Sequence, residues 1–154
     1  WRVLSKEGNQ LLVISNQSLD AVAYHSDWMT DVTWETCALN GWLQSEFYGE
    51  AFSIEEGMKI SGPVTLLTAE EANRYFTSNE DRLCIGTYYT ERNKVGYSLN
   101  NNGNYDDWWL RGTNTEPSND APIVDTYGVI GEESAGGNNP LYQYVRPVIR
   151  INVN

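Results

Sequence analysis

The chain has 154 residues, of which 40% are hydrophobic, 20% charged and 12% aromatic. This length fits one domain with its own core, and six Trp, ten Tyr and three Phe exclude a disordered tail. Ten Lys and Arg against 21 Asp and Glu give a formal net charge of -11, which disfavours nucleic acid and anionic membranes as partners. We expect no membrane insertion, because no stretch approaches the ~18 apolar residues of a spanning helix.

The first fifty residues predict two strands and a helix. Trp1–Leu4 is predicted as a strand and is followed by a turn around Gly8. Leu11–Ile14 is a continuous apolar run, which is typical of a strand covered on both faces. A helix is predicted over Thr36–Tyr48, because its apolar residues recur on one side. That stripe consists of Leu39, Trp42, Leu43 and Phe47.

Two further helices are predicted by their first residues. Ser53–Glu56 and Thr68–Glu71 both have the spacing of a capping box, in which a hydroxyl and a carboxylate satisfy free N–H groups at a helix start. Between them, Val64–Leu67 is apolar and β-branched at two positions, so it is predicted as a strand.

Asparagine and glycine cluster in the second half and predict loops. Glu91–Asp107 is predicted as a long loop, broken only by a short hairpin around Val95 and Tyr97. Thr113–Asp120 is a second polar loop, and Gly131–Pro140 is a turn-rich connection.

Asp106–Arg111 is predicted as a strand between the first two of these loops. Side chains alternate between the faces of a strand, so Trp108 and Leu110 share one face while Trp109 and Arg111 share the other. We expect Trp108 in the core. For Trp109 both a core position and an exposed ring that stacks on a sugar remain open.

The remaining segments complete a sheet. Strands are predicted at Pro122–Val124, at Tyr127–Ile130 and over the alternating run Tyr144–Val153. Because Pro147 has no N–H to donate, the last strand must lie at an edge or bulge there.

Together these elements predict one α+β domain over residues 1–154, with a small, mainly antiparallel sheet and two or three helices. The abrupt start at Trp1 indicates a segment excised from a larger protein. The predicted helical stripe should pack on strand residues, which are Val13, Leu66, Trp108, Leu110 and Ile149.

The chain contains one histidine, His25, and two cysteines, Cys37 and Cys84. They cannot form a zinc site of four cysteines, or of two cysteines and two histidines. His25 lies in a polar run that favours a surface or hydrogen-bonding role over general-base catalysis. The cysteines are compatible with a disulfide or with two buried thiols. No spacing singles out a catalytic set, and we expect no enzyme.

Arg111 and Arg146 lie among apolar residues on predicted strands. A buried guanidinium needs partners, so we expect ion pairs with carboxylates such as Asp106, Asp107 and Asp125. An anionic ligand is the functional alternative.

Three segments resemble a family of bacterial surface domains of unknown function: Asp31–Leu43, Trp108–Arg111 and Val145–Val148. Trp1–Leu4 and Val64–Leu67 extend the resemblance over nearly the whole chain. Its members occur in large secreted or wall-attached proteins of gut and other anaerobic bacteria. The resemblance therefore implies an extracellular or cell-surface location, with signal and anchor outside this segment.

The Trp-Trp-Leu-Arg and Val-Arg-Pro elements also resemble a divergent C-type-lectin-like fold, which is shared with formylglycine-generating enzymes. That resemblance implies long loops in the second half and a non-catalytic module that binds a glycan or a host or bacterial surface protein. A spacer module without a ligand is the first alternative, and an enzyme related to formylglycine-generating enzymes is the second. Formylglycine-generating enzymes use a cysteine pair near the C-terminus, and neither Cys37 nor Cys84 lies there.

The loop after Arg111 departs from the family pattern, because Gly112 and Thr113 stand where Ser and Pro are common. Its later part, Glu116–Asp120, resembles the Glu-Pro-Asn segment with which many C-type lectins hold calcium. The implied ligands are Glu116, Asn119 and Asp120. The partner Trp-Asn-Asp segment is absent, which favours an ordinary solvated loop; no other cofactor is expected.

Long irregular stretches in compact domains are usually functional. We therefore expect Asn93–Tyr105, Thr113–Asp120 and Gly131–Pro140 to gather at one end of the sheet and to contact the ligand. The predicted contact residues are Trp109, Tyr97, Tyr105, Asn104 and Asn119.

Overall fold

The computed structural model describes residues 1–27, 30–93, 105–135 and 142–153. The strands are β1 Arg2–Glu7, β2 Gln10–Ile14, β3 Asp20–Ala23, β4 Trp108–Trp109, β5 Asp120–Val124, β6 Ile130–Ser134, β7 Tyr142–Val145 and β8 Val148–Asn152. The helices are α1 Ala38–Trp42, α2 Tyr48–Ala51, α3 Ile54–Gly57, α4 Ala69–Tyr75, α5 Asn79–Arg82 and α6 Tyr88–Asn93. This content confirms the α+β class. The hairpin predicted around Val95 and Tyr97 lies outside the described residues.

A three-stranded antiparallel sheet is formed by β1, β2 and β8, with β2 in the centre. Glu7 and Gln10 pair across a two-residue turn, in which Gly8 has a φ of 60° that suits a tight hairpin. Leu12, Val13 and Ile14 are all buried. This confirms the prediction that the apolar run is covered on both faces.

A five-stranded sheet has the order β3-β7-β4-β5-β6, and its β4–β7 pair is parallel. The indole N–H of Trp109 on β4 donates to the carbonyl of Val22 on β3 (2.8 Å), across the intervening β7. Beyond the two edge strands, the N–H of His25 donates to the carbonyl of Ala135 (3.0 Å). The sheet is therefore curled around Trp109.

The single strand predicted over Tyr144–Val153 is divided between the two sheets. β7 ends at Val145 and β8 begins at Val148, so Arg146 and Pro147 form the crossing. Proline fixes φ and has no N–H for a ladder, which is the physical reason for the break. The carbonyl of Pro147 accepts from the N–H of Ser15 (3.1 Å), so the crossing is fixed to the end of β2.

The predicted long helix is present as α1 and α2 joined by a π-helical segment, Leu43–Phe47. Leu39, Leu43 and Phe47 are buried, as the stripe predicts.

Both capping boxes are confirmed, at the starts of α3 and α4. The hydroxyls of Ser53 and Thr68 accept from the N–H groups of Glu56 and Glu71, and both carboxylates accept the return bond. These interactions join residues three apart and need no tertiary contact, which is why the sequence reveals them.

Several predicted elements are wrong. Val64–Leu67 is not a strand, because it pairs with β8 only through a bridge between Thr65 and Val148. Gly131–Ser134 belongs to β6, where a turn was predicted, while Tyr127 and Gly128 form the turn before it. The elements β3, α5 and α6 were not predicted.

The buried side chains form two clusters, one on each side of β4. Trp109 belongs to the first cluster with the helical residues Leu39 and Leu43, and with Val13, Leu66 and Ile149. Trp108 and Leu110 belong to the second cluster with Phe76. The prediction that Trp108 and Leu110 pack on the long helix is therefore wrong, although the predicted alternation of faces is right.

Arg146 is 3% exposed. Its guanidinium donates to the carbonyl of Ser15 (3.0 and 3.2 Å) and to that of Arg82 (3.4 Å). It also lies 4.6 Å from the ring centroid of Trp108 and 5.5 Å from that of Phe76. The contacts described for Arg146 are carbonyls and aromatic rings, which corrects the expected ion pair for this residue. For Arg111 an ion pair is confirmed, with Glu71 (3.4 Å).

Two of the carboxylates expected to pair with the arginines have other roles. Asp106 accepts from the hydroxyl of Ser18 (2.5 Å). Asp125 accepts from the N–H groups of Tyr127 and Val129 (both 2.8 Å) and so shapes the turn before β6.

Replacing Trp108 with Ala should lower the free energy of unfolding by about 3–5 kcal/mol, because the side chain is fully buried and its loss leaves a cavity. Chemical denaturation measures this. Tyr127→Ala is the control, because Tyr127 is exposed and its loss should change stability by less than about 0.5 kcal/mol. Equal stability of Trp108→Ala and the parent would contradict the assignment of Trp108 to the core.

Candidate functional site

A cavity of about 680 Å³ lies beside the loop Thr113–Asp120. We call it the polar cavity. Five parts of the chain line it: the segment between β3 and α1, the start of α4, the segment after β4, the loop with the start of β5, and β6. The polar side chains among its lining residues are those of Tyr24, Thr68, Glu70, Arg111, Thr113, Glu116, Ser118, Asp120 and Glu132. Its volume falls within the ~300–1,000 Å³ range of small-ligand pockets.

The segment Arg111–Asn114, which runs from β4 into the loop, is held residue by residue. Each of its four residues takes part in a hydrogen bond to a residue far from it in sequence. The bonds are Arg111 N to Leu67 O (2.7 Å), Gly112 N to Tyr24 Oη (2.9 Å), Trp34 N to Thr113 O (3.0 Å) and Asn114 Nδ2 to Glu35 Oε1 (3.3 Å). This wall of the cavity is therefore fixed before any ligand arrives.

The far side of the loop is also bonded to the rest of the chain. Val32 and Ser118 exchange two backbone hydrogen bonds of 3.0 Å each. The hydroxyl of Ser118 accepts from the N–H of Asp120 (3.0 Å), and the carbonyl of Asn119 accepts from the N–H of Ala135 (2.7 Å). A loop bonded at both ends holds its side chains at defined positions, which lowers the entropy cost of binding.

Tyr24 lies beneath Gly112, where it is 2% exposed. Its ring packs edge-on against Trp109, with 5.3 Å between centroids. Burial is the main cause that raises the pKa of Tyr24 well above its usual value, so the hydroxyl is neutral at physiological pH. A Cβ at position 112 would lie 3.0 Å from the Tyr24 hydroxyl, so glycine permits this close approach.

The lining of the polar cavity is rich in acceptors. Glu70, Glu116, Asp120 and Glu132 provide four carboxylates, and Arg111 provides a guanidinium. Ionised carboxylates only accept hydrogen bonds, so the cavity suits a ligand with many donors, such as hydroxyl or ammonium groups. It is unfavourable for an anion, which weakens the anionic alternative for Arg111.

The predicted contact residues are not brought together. Trp109 is 0% exposed and offers no ring face, so the prediction that a ligand stacks on it is wrong. Tyr105 is exposed but precedes β4, whereas the loop Thr113–Asp120 follows it, so they lie at opposite ends of that strand. Asn119 is exposed but is not part of the cavity lining. Tyr97 and Asn104 lie outside the described residues.

The cavity also contains residues that the sequence did not single out. Tyr24 and Glu70 are distant from the loop in sequence and reach it only through the tertiary fold. Glu132 is brought to the cavity by the pairing of β6 with β5, in which it lies opposite Pro122. The capping box at Thr68 was a usable signal for Glu70, because it fixes the start of α4. For Glu132 the sequence carries no comparable signal.

Of the predicted calcium ligands, Glu116 and Asp120 line the polar cavity and Asn119 does not. Within the described residues, no group of three or more His, Cys, Asp and Glu side chains is placed to hold a metal ion. Calcium binding at Glu116, Asn119 and Asp120 stays a prediction.

The histidine and the cysteines have structural surroundings. His25 accepts from the N–H of Ala38 (3.2 Å) at the start of α1, which confirms a hydrogen-bonding role. Cys37 and Cys84 are buried free thiols, which decides between the two alternatives left open by the sequence. The Cys37 sulfur accepts from the N–H of Asn40 (3.4 Å) and caps α1.

Residues 8–81 match a family described as "Domain of unknown function (DUF6273)". The match covers slightly less than half of the chain, includes Asp31–Leu43 and ends before Trp108–Arg111. No curated protein and no solved structure matches the chain. In the part of the chain that the structure describes, no helix is long and apolar enough to cross a membrane.

The free energy of unfolding of the domain should decrease as the pH rises from 9 to 11. Burial is the main cause that raises the pKa of the Cys37 thiol from 9.0 to about 11. The unfolded chain then releases this proton at lower pH than the folded one, so the stabilisation is complete below pH 9 and decreases as pH rises. In Cys37→Ala the slope of the unfolding free energy against pH should be smaller by up to about 1.4 kcal/mol per pH unit, because the titrating thiol is gone. Urea unfolding from pH 8 to 11 measures it, and parallel curves for both proteins would contradict the prediction.

Proposed function

We propose that this chain is a non-catalytic module that binds a carbohydrate in the polar cavity. The observation that carries the proposal is the position of the cavity: it lies beside Thr113–Asp120, on a wall whose residues are hydrogen-bonded one by one to distant parts of the chain. A fixed cavity with convergent polar groups is the usual form of a small-ligand site.

The chemistry of the lining favours a sugar that carries hydroxyl groups and no negative charge. The four carboxylates accept hydrogen bonds from hydroxyls, and such charge-assisted bonds are stronger than neutral ones. Val32, Pro117 and Pro122 add apolar surface against which the C–H face of a sugar ring can pack.

The proposal assigns binding and no catalysis to this lining, because the sequence singles out no catalytic set. Among the described residues that line the cavity there is no histidine, cysteine or lysine. The Ser118 hydroxyl accepts from the N–H of Asp120, and the Ser118 backbone exchanges two hydrogen bonds with that of Val32. These hydrogen bonds hold the loop in place.

The wider setting of the proposal comes from resemblance. Trp108–Arg111 and Val145–Val148 resemble a divergent C-type-lectin-like fold in proteins of the bacterial surface. We therefore propose that the parent protein is secreted or attached to the cell surface and that the glycan belongs to a host or bacterial surface.

The experiment is a binding screen of the domain against neutral, amino and acidic monosaccharide glycosides, with NMR titration to reach millimolar affinities. Asp120→Asn and Glu132→Gln should each weaken the binding of neutral sugars about tenfold, because each removes the charge from a hydrogen-bond acceptor. Asn119→Ala is the matched control, because Asn119 lies on the same loop but outside the cavity. It should bind like the parent.

Two results would contradict the proposal. Binding that is lost in Tyr105→Ala and unchanged in Asp120→Asn would place the site at the opposite end of β4. Absence of binding to every glycan would favour the alternative function, a spacer module without a ligand.

A further inference from the structure

A second cavity adjoins the polar cavity. Its volume is about 360 Å³, and its lining includes Glu35, Asn40, Gln44, Thr65 and Asn114. Arg111 lines both cavities. The two spaces therefore meet at Arg111, and an extended ligand can occupy both.

The two residues that follow Gly112 also lie at the boundary between the cavities. Thr113 lines the polar cavity and Asn114 lines the second one. Both residues are fixed by hydrogen bonds, Thr113 through its carbonyl and Asn114 through its amide. The same rigid segment thus forms part of both cavities.

Some N–H groups of the Arg111 guanidinium remain available to a ligand at this junction. Its one described ion pair joins Nη2 to Glu71 Oε2 at 3.4 Å, which is longer than the ~2.7–2.9 Å of a strong charge-assisted bond. Nε is buried and has no hydrogen-bond partner among the described residues. Because the side chain is 29% exposed, the remaining guanidinium N–H groups can reach acceptors on a ligand.

The second cavity is also polar. The Gln44 amide donates to the carbonyl of Val64 (2.6 Å) and to Asn40 Oδ1 (3.2 Å), and Glu35 accepts from Asn114. Its one carboxylate, that of Glu35, has a second oxygen that can accept from a ligand hydroxyl, so this space also suits a neutral polar ligand.

We propose that the two cavities are consecutive subsites for a neutral oligosaccharide, and that Arg111 donates to oxygen atoms near the linkage between the two sugar units. The inference rests on the carbohydrate binding proposed above and adds its ligand class: a linear chain of at least two residues. Arg111 is then the residue that makes two linked sugar units bind more tightly than a single sugar.

The test is a chain-length series. The methyl glycoside of the best-binding neutral sugar, and its linear di-, tri- and tetrasaccharides, are titrated into the parent protein. Affinity should rise about tenfold from the monosaccharide to the di- or trisaccharide and then level off, because each filled subsite adds contacts.

Asn40→Trp places a bulky side chain at the wall of the second cavity. It should keep the affinity for the monosaccharide within about threefold and abolish the gain with chain length. Ser45→Trp, at an exposed position of the neighbouring π-helical segment, is the matched control and should keep the gain. Arg111→Met, which retains an apolar stem, should reduce the gain without unfolding the protein. Thermal melts check that each variant is folded.

The outcomes separate the two proposals. If the monosaccharide binds in an Asp120-dependent way but longer chains bind no better, the subsite inference is wrong and the proposed function stands. A gain that survives in Asn40→Trp would also overturn the subsite inference. If no saccharide binds the parent, both proposals are wrong.

Discussion

The architecture depends on a buried cation at the point where the chain crosses from one sheet to the other. Removing a guanidinium from water costs several kcal/mol unless its charge is compensated. Burial is the main cause that lowers the pKa of Arg146, which expresses the same cost. Carbonyl groups of Ser15 and Arg82 and the ring faces of Trp108 and Phe76 provide the compensation.

These contacts join parts of the chain that are far apart in sequence. Ser15 follows β2 of the first sheet, Arg82 ends α5, and Trp108 lies on β4 of the second sheet. The carbonyl of Arg82 accepts from Arg146 and also from the indole N–H of Trp108 (3.2 Å). One cation therefore links β4 of the second sheet to the end of β2 in the first sheet and to the end of α5.

The candidate site follows directly from the position of β4. Trp108 and Trp109 are buried on opposite sides of β4, so the strand cannot shift or rotate without exposing one of them. Three residues later the chain forms the fixed wall of the polar cavity at Gly112, above Tyr24. The interior packing of one two-residue strand thus sets the geometry of a surface cavity.

The features predicted correctly from the sequence are those that depend on interactions between residues close together in the chain. The capping boxes at Ser53 and Thr68 and the stripe of the long helix involve residues three or four apart, and all are present. The division of the last strand was foreseeable only in part, since Pro147 indicates a break but not that Val145 and Val148 join different sheets.

The site was predicted less well than the fold, for a physical reason. Alternation places Trp109 opposite Trp108 but cannot show that the sheet curls around it. The ring that was predicted to contact a sugar is therefore a core residue. Tyr24 meets the chain beside the loop, at Gly112, across 88 residues, and Glu132 reaches the cavity through the pairing of β5 with β6. No local pattern encodes either contact.

The most direct test of the central claim, that ligand contact falls on the wall built beyond β4, is amide hydrogen exchange of the domain with and without a bound saccharide. We expect slower exchange at Arg111–Asp120 and at Thr68–Glu70, and no change in α6 or at Tyr105. Slower exchange confined to α6 and Tyr105, with Arg111–Asp120 unchanged, would contradict the claim.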